Sequence, residues 1–220
     1  MKMIHAVVFD LDGTLLNTLD DLAAAANVAL AAHGMPPRTV DEVRRFVGNG
    51  VAKLIERAVP AGTDAATQQA VFDTFRTYYA EHNLDATAPY NGILPTLARL
   101  RDAGIAMAVV SNKLEEATAA LCRHFFSDLI TVAVGDAPDR PRKPAPDGTL
   151  LALTRLGAAA DEAIFVGDSD VDVLTAHNAG LPCIGVTWGF RDADSLHTAG
   201  AAHLIDTPAQ LADYVLNGKE

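Results

Sequence analysis

Two hydrophobic patterns alternate along most of the chain. Short apolar runs rich in β-branched and aromatic residues predict buried parallel strands. These runs are Ile4–Phe9, Ile105–Val110, Ile130–Val134, Ala163–Val166, Cys183–Val186 and Ala202–Ile205. From about residue 92 onward, stretches with helical spacing separate the runs. Strands that alternate with helices predict an α/β fold, a doubly wound parallel sheet of Rossmann-like type.

The segment between the first two predicted strands has a different pattern. Helical spacing predicts helices over 18–33, 51–59 and 64–82, and Thr39-Val40-Asp41-Glu42 has the form of a capping box for another. We therefore predict that residues 16–84 form a small α-helical cap domain inserted into the α/β core. The core would comprise residues 1–15 and 85–220.

Composition narrows the classes of partner. The 220 residues include 17 basic and 28 acidic side chains, a formal net charge of -11. This charge disfavours nucleic acid and anionic membranes as partners, since binding them needs clustered Lys and Arg.

The cysteines and the N-terminus bear on the compartment. Cys122 and Cys183 lie far apart in apolar surroundings, so we expect buried thiols in a reducing compartment. Met1-Lys2-Met3 leads into the first strand without a cleavage signal, so we expect a cytoplasmic protein.

Polar side chains follow three predicted strands, and a fourth group lies in a loop. Asp10 and Asp12 follow the first strand, Ser111-Asn112 the second, and Asp168 the fourth, while Lys143 lies in a Pro-rich loop. In a doubly wound sheet these groups converge at one crevice. Two carboxylates this close repel each other unless a cation lies between them, and Mg²⁺ prefers such oxygen ligands. Acids, a hydroxyl and an ammonium together indicate phosphoryl transfer.

Four motifs in this order resemble those of the haloacid dehalogenase superfamily, in its phosphatase branch. They are Asp10-Leu11-Asp12-Gly13-Thr14-Leu15, Ser111-Asn112, Arg142-Lys143-Pro144 and Gly167-Asp168-Ser169-Asp170-Val171-Asp172. The dehalogenases lack the second acid of the first motif, which is present here as Asp12. Three further segments are most similar to bacterial phosphoglycolate phosphatases: Val47–Val51, Pro89–Gly92 and Ile184–Gly189.

The resemblance implies roles for the acids. Asp10 would be the nucleophile that forms an aspartyl phosphate, and Asp12 the general acid and base. Asp10, Asp12 (through its backbone carbonyl) and Asp168 would bind Mg²⁺. Asp172 would hold a metal-bound water or orient Lys143, and Asp170 would be a solvated residue at a helix start.

The resemblance also implies how the phosphoryl group is held. Ser111 and Lys143 would bind its oxygens, and backbone N–H groups near Leu11, Gly13 and Asn112 would contribute an anion-binding nest. Thr14 would contact the substrate or shape the turn after the first strand. Considered singly, Ser111 fits a turn hydroxyl and Lys143 a solvated charge. Their position beside the other motifs favours the functional interpretation.

Substrate selection is expected in the helical insertion, since the core handles only the phosphoryl group. Arg44 or Arg45 would grip a substrate carboxylate, and Gly48 and Asn49 would let the backbone approach a small ligand. The helical pattern by itself is equally compatible with Arg44 and Arg45 as surface charges.

These observations lead to a Mg²⁺-dependent phosphatase of a small phosphorylated metabolite, with 2-phosphoglycolate as the leading substrate. Sugar-phosphate hydrolysis, pyrophosphate hydrolysis and phosphomutase transfer are the alternatives within the superfamily. A regulatory module phosphorylated on aspartate is a further alternative, which Asp12 argues against, since such a module needs no positioned acid. We expect no membrane partner, and the pattern leaves monomer and homodimer open.

Overall fold

A computed structural model describes residues 3–217, and the chain forms two compact units. One contains the chain up to Leu16 and from Pro89 onward, and the other is Asn17–Ala88. The chain passes between them through β2 (Leu16–Asn17) and β3 (Ala88–Pro89), which pair as a two-stranded sheet. The sequence predicts an insertion over residues 16–84, and the smaller unit of the structure runs from Asn17 to Ala88. Met1 and Lys2, which bear on the expected absence of a signal peptide, lie outside the described residues.

The larger unit is built on six parallel strands. They are β1 (Ala6–Phe9), β4 (Ala106–Leu114), β5 (Val132–Asp136), β6 (Ala163–Gly167), β7 (Cys183–Val186) and β8 (His203–Ile205). Their order across the sheet is β5-β4-β1-β6-β7-β8. The order reverses direction at β1, which pairs with β4 on one side and β6 on the other. The predicted doubly wound parallel sheet is confirmed, and such a reversal is where this fold opens a ligand crevice.

Helices cover both faces of this sheet. They are α5 (Ile93–Asp102), α6 (Glu115–Phe126), α7 (Asp147–Leu156), α8 (Asp170–Asn178), α9 (Ala193–Ala199) and α10 (Pro208–Asn217). Alternate residues of β1 enter different cores. Val7 and Phe9 pack with the apolar residues of α5, α6 and α10, whereas Ala6 and Val8 pack with those of α7, α8 and α9. Burial on both faces explains why the strand is apolar throughout.

The smaller unit consists of four helices, α1 (Leu19–Ala32), α2 (Val40–Phe46), α3 (Val51–Ala58) and α4 (Ala65–His82). The predicted capping box of Thr39 and Glu42 is confirmed at the start of α2. The buried Asp21 carboxylate accepts hydrogen bonds from the N–H groups of Ala86 and Thr87 and from the Thr87 hydroxyl. This carboxylate therefore joins the first helix to the end of the unit.

Two local predictions need correction. The strand expected to end at Val110 continues to Leu114, because Leu114 pairs with Asp136 of β5 after a shift in register. Ser111 and Asn112 thus lie within β4. The helix predicted over 18–33 begins one residue later, at Leu19, and Thr18 stands at its N-cap without a side-chain capping hydrogen bond. Cys122 and Cys183 are free and buried, as expected. Within residues 3–217, none of the helices has both the length and the apolar character that crossing a bilayer requires.

Candidate active site

The turn after β1 is short and closed by backbone hydrogen bonds. Asp10 N–H donates to Val166 O of β6, and the N–H groups of Leu15 and Leu16 both donate to Leu11 O. Gly13 has φ +88° within this turn. A glycine accepts this conformation without the steric penalty that a Cβ brings. The apolar Leu11, Leu15 and Leu16 are fully buried, so the turn that carries Asp10 and Asp12 is anchored in the core.

Lys143 lies at the centre of the buried polar cluster. Its Nζ is 2.8 Å from Asp10 Oδ1 and 2.7 Å from Asp172 Oδ1. A capping box at the start of α8 fixes Asp172, whose Oδ2 accepts hydrogen bonds from Ser169 N–H and the Ser169 hydroxyl. Gly167 lies directly behind, and a Cβ there would be 2.3 Å from Asp172 Cβ. One ammonium thus links the residue after β1 to the first turn of α8.

Asp168 is held on several sides. Its Oδ1 accepts a 2.9 Å hydrogen bond from the Thr14 hydroxyl, and its Oδ2 accepts one of 2.7 Å from Phe190 N–H. A Cβ at Gly13 or at Gly189 would be 2.3 Å from an Asp168 side-chain atom. Trp188 Nε1 donates to Thr14 O, 3.0 Å away. The loop after β7 and the turn after β1 therefore hold this carboxylate between them.

The cluster contains more negative than positive charge. Burial raises the pKa of Asp168 to about 7, with a further contribution from the Asp172 charge. The pKa of Asp10 lies well above its usual value because of burial and the nearby Asp172, although Lys143 opposes this. Burial by itself lowers the pKa of Lys143, but Asp10 and Asp172 outweigh it and raise that pKa above its ordinary value. Lys143 therefore stays charged, and its single positive charge does not neutralise the three surrounding carboxylates.

This donor set suits a hard divalent cation. Asp10, Asp168 and Asp172 are buried, and one carboxylate oxygen from each lies within 4.8 Å of the others. A cation bound there would stabilise the ionised carboxylates, against the burial and the Asp172 charge that raise the pKa values of Asp10 and Asp168. Carboxylate oxygens are the ligands that Mg²⁺ prefers. The Asp12 carboxylate is not part of this group, and the predicted ligation through the backbone carbonyl of Asp12 stays a prediction.

The end of β4 presents three polar residues with different partners. The buried Ser111 hydroxyl accepts a hydrogen bond from Lys113 N–H. The Asn112 side chain pairs with the backbone of Lys143, since Nδ2 donates to Lys143 O and Oδ1 accepts from Lys143 N–H. Lys113 Nζ lies 3.1 Å from Asp12 Oδ1. The peptide bond between Lys143 and Pro144 is cis.

The structure brings the predicted core residues together. Asp10, Lys143, Asp168 and Asp172 form one cluster, and Thr14 joins it through Asp168. Asp170 begins α8 with an exposed side chain, 3.8 Å from Arg191.

The predicted specificity residues Arg44, Gly48 and Asn49 belong to the helical unit. Gly48, Asn49 and Gly50 all have positive φ, at 114°, 62° and 84°. Three such residues in succession form an unusual loop between α2 and α3. The roles of these residues stay predictions.

Sequence reasoning missed two features of the site. Lys113 follows Ser111-Asn112 directly, so its place at the end of the strand was a usable signal. The segment Ile184–Gly189 was noted for its resemblance, but its contact with the turn after β1 was not predicted, since Trp188 and Thr14 lie 174 positions apart.

Comparison with known proteins agrees with this geometry. The family model described as haloacid dehalogenase-like hydrolase matches residues 7–186. The chain belongs to this family. The match begins within β1 and ends with β7, so it includes all four motifs and the helical unit. The expected family is confirmed.

Individual relatives in the haloacid dehalogenase-like family are phosphatases. A phosphoglycolate phosphatase of Chromobacterium violaceum is 34% identical, covering 99% of both chains. One of Rhodospirillum rubrum is 35% identical, covering 97% of this chain and 91% of the relative. A crystal structure from Lactobacillus delbrueckii subsp. bulgaricus, assigned as a candidate phosphoglycolate phosphatase, has a TM-score of 0.93 and 33% identity, covering 97% and 99% of the two chains. These relatives confirm the expected enzyme class, a phosphatase.

Proposed function

We propose that this chain is a Mg²⁺-dependent hydrolase of small phosphomonoesters that acts through an aspartyl phosphate on Asp10, with 2-phosphoglycolate as its substrate. The observation that carries the proposal is the buried cluster in which Lys143 contacts both Asp10 and Asp172, with Asp168 beside them. A purely structural site would not bury three carboxylates around one ammonium, because the excess charge is costly.

The first half of the reaction follows from the positions of the first-motif acids. A carboxylate oxygen of Asp10 attacks phosphorus, and the bond between phosphorus and the ester oxygen breaks. Asp12 donates its proton to the departing alkoxide, which leaves as the alcohol. General acid catalysis of this kind contributes a factor of roughly 10²–10⁴ in rate.

The second half reverses the proton transfer. Asp12, now a carboxylate, takes a proton from water, and the resulting hydroxide attacks the phosphorus of the aspartyl phosphate. Inorganic phosphate leaves and Asp10 is regenerated. Lys143 and Ser111 bind the phosphoryl oxygens through both halves, as preorganised donors that need no rearrangement.

Asp10, Asp168 and Asp172, with the backbone carbonyl of Asp12, are the groups that would hold Mg²⁺. The bound ion would screen the repulsion between Asp10 and the anionic phosphoryl group. Asp172 also holds Lys143 at 2.7 Å. Its other oxygen accepts hydrogen bonds from Ser169, so Asp172 would orient Lys143 in addition to its part in the metal site.

The proposed substrate is supported by the names of the relatives that match nearly the whole chain. We also propose that Arg44, Gly48 and Asn49 of the helical unit recognise the carboxylate of 2-phosphoglycolate. A guanidinium binds a carboxylate through two parallel hydrogen bonds, which discriminates against uncharged groups.

Phosphate release from a panel of esters tests the proposal. The panel contains 2-phosphoglycolate, several sugar phosphates and pyrophosphate, each assayed with Mg²⁺ and with excess chelator. We expect preferential release from 2-phosphoglycolate that chelator abolishes. Asp10→Asn should lose this activity and form no acid-stable phosphoprotein, while the exposed Asp128→Asn should retain both.

Each alternative gives a different result. Broad, weak release would keep the phosphatase but contradict the substrate. Release mainly from sugar phosphates or pyrophosphate would identify those activities. An isomeric phosphate ester as product would indicate a mutase, and an aspartyl phosphate that persists for hours would indicate a regulatory module.

We further propose a cytoplasmic enzyme that is a monomer or homodimer. Its two cysteines are free and buried, which suits a reducing compartment. Fractionation of cells and light scattering of the purified protein test these two statements.

A further inference from the structure

A second lysine is buried beside the catalytic cluster. Lys113 Nζ lies 3.1 Å from Asp12 Oδ1, and the two side chains are only 7% and 16% exposed. Ordinary lysines keep their ammonium in water, and one withdrawn from it needs a countercharge. Asp12 supplies that countercharge here. The two acids of the first motif therefore each have a lysine: Lys143 for Asp10, and Lys113 for Asp12.

The backbone of Lys113 is fixed at both ends. Its N–H donates to the Ser111 hydroxyl, and its carbonyl accepts a hydrogen bond from the buried Thr118 hydroxyl, each at 3.1 Å. It also belongs to β4, which pairs with β1, the strand that precedes Asp12. The position from which this ammonium reaches Asp12 is thus set by the sheet itself.

The Asp12 oxygen nearest the Lys113 ammonium is buried. Among the described residues, no donor is aligned for a hydrogen bond to the buried Asp12 Oδ1, although the ammonium is close. The Lys113 ammonium thus lies against this oxygen as a countercharge. An acid that must give a proton to a leaving group and take one from water benefits from such an arrangement.

We propose that Lys113 is a positioning residue, which holds the Asp12 carboxylate in place for both proton transfers. This inference rests on the proposed function, in which Asp12 is the general acid and base. Lys113 does not contact the transferred phosphoryl group in this account. Its effect should therefore appear only in steps that Asp12 assists.

The leaving group distinguishes this role from a structural one. An alkyl alcohol such as glycolate needs protonation as it departs, whereas p-nitrophenolate leaves without it. We expect Lys113→Met to lower kcat/KM for 2-phosphoglycolate by about 10- to 100-fold, a part of the full general-acid contribution, but for p-nitrophenyl phosphate by less than about threefold. Lys113→Arg should restore part of the loss. Inhibition by inorganic phosphate should be unchanged.

A double-mutant cycle tests whether Lys113 acts through Asp12. In the Asp12→Asn background, adding Lys113→Met should change kcat/KM for 2-phosphoglycolate by less than about twofold, because coupled residues are not additive. The matched control is Lys53→Met, which removes an exposed lysine paired with Glu56 at 2.7 Å. It should leave both esters unaffected. Lys113→Gln provides a polar replacement if the methionine variant does not fold.

Two results would overturn the inference while the proposed function stands. Equal losses for both esters would indicate a structural role, and an undiminished loss in the Asp12→Asn background would indicate that Lys113 binds the substrate directly. If the wild-type protein releases phosphate from none of the esters, the proposed function itself fails, and the inference fails with it.

Discussion

Asn112 holds the backbone of Lys143 by two hydrogen bonds, with Nδ2 3.0 Å from Lys143 O and Oδ1 2.9 Å from Lys143 N. The amide therefore positions the lysine that contacts Asp10 and Asp172. Both polar atoms of the Asn112 amide are used in this way. The predicted contribution of Asn112 to substrate binding would therefore come from its backbone N–H. The pair joins β4 to the loop before α7, across 31 positions in the chain.

Asn112→Ala should release this loop. We expect a loss of about 1–3 kcal/mol in the free energy of unfolding, because partly buried backbone groups lose their partners. We also expect lower kcat, since Lys143 would no longer be held against Asp10. Denaturant unfolding and steady-state kinetics measure the two effects. Asn112→Asp keeps an acceptor for Lys143 N–H and should fall between wild type and alanine; a variant indistinguishable from wild type would contradict this account.

Asp10→Asn should abolish turnover but stabilise the metal-free protein at neutral pH. The pKa of Asp10 is raised by burial and by Asp172, so its ionised form is disfavoured in the folded state. A neutral amide of the same shape removes that cost. Thermal unfolding in chelator should show a higher midpoint for this variant, and Asp128→Asn, at an exposed position, serves as the control. A lower midpoint would show that the ion pair with Lys143 outweighs the repulsion.

The metal-free protein should lose stability as pH rises toward 7. The pKa of Asp168 is raised from 3.8 to about 7, so the folded state keeps this proton at pH values where the unfolded chain has released it. The stabilising contribution of protonated Asp168 is therefore complete below about pH 4 and is lost progressively up to about pH 7. For one proton, the free energy of unfolding falls by no more than about 1.4 kcal/mol per pH unit. The free energy of unfolding, compared with that of Asp168→Asn between pH 5 and 8 in chelator, should show this decline. Parallel curves for the two proteins would refute it.

Gly13→Ala should disturb Asp168. A Cβ at Gly13 would lie 2.3 Å from Asp168 Oδ2, and φ is +88°. Gly62 has nearly the same φ, +85°, but open space around its Cβ position. Gly62→Ala should therefore cost only the backbone strain, about 1–2 kcal/mol. Gly13→Ala should cost more and should also weaken Mg²⁺ binding, as measured by the metal-induced rise in thermal midpoint. Equal effects at the two glycines would rule out the crowding.

The local sequence was sufficient to predict most helices and strands and to identify the acids that the fold brings together. The apolar run before Asp10 is buried on both faces, and periodicity alone predicted a strand there. The capping box at Thr39 and Glu42 formed as predicted, because its hydrogen bonds lie within one helical turn. The predicted end of β4 at Val110 was wrong, because the pairing of Leu114 with Asp136 depends on a neighbouring strand.

Motif order and helical or strand periodicity are properties of short segments, so the chain alone specified a parallel sheet with Asp10, Lys143 and Asp168 at its edge. The particular contacts of that site were decided by the fold. The Thr14 hydroxyl meets Asp168 across 154 positions, and Lys113 meets Asp12 only because β4 lies beside β1. Strand order sets which side chains become neighbours, and burial then makes each unpaired charge costly. Those costs depend on distances that exist only after the strands have assembled.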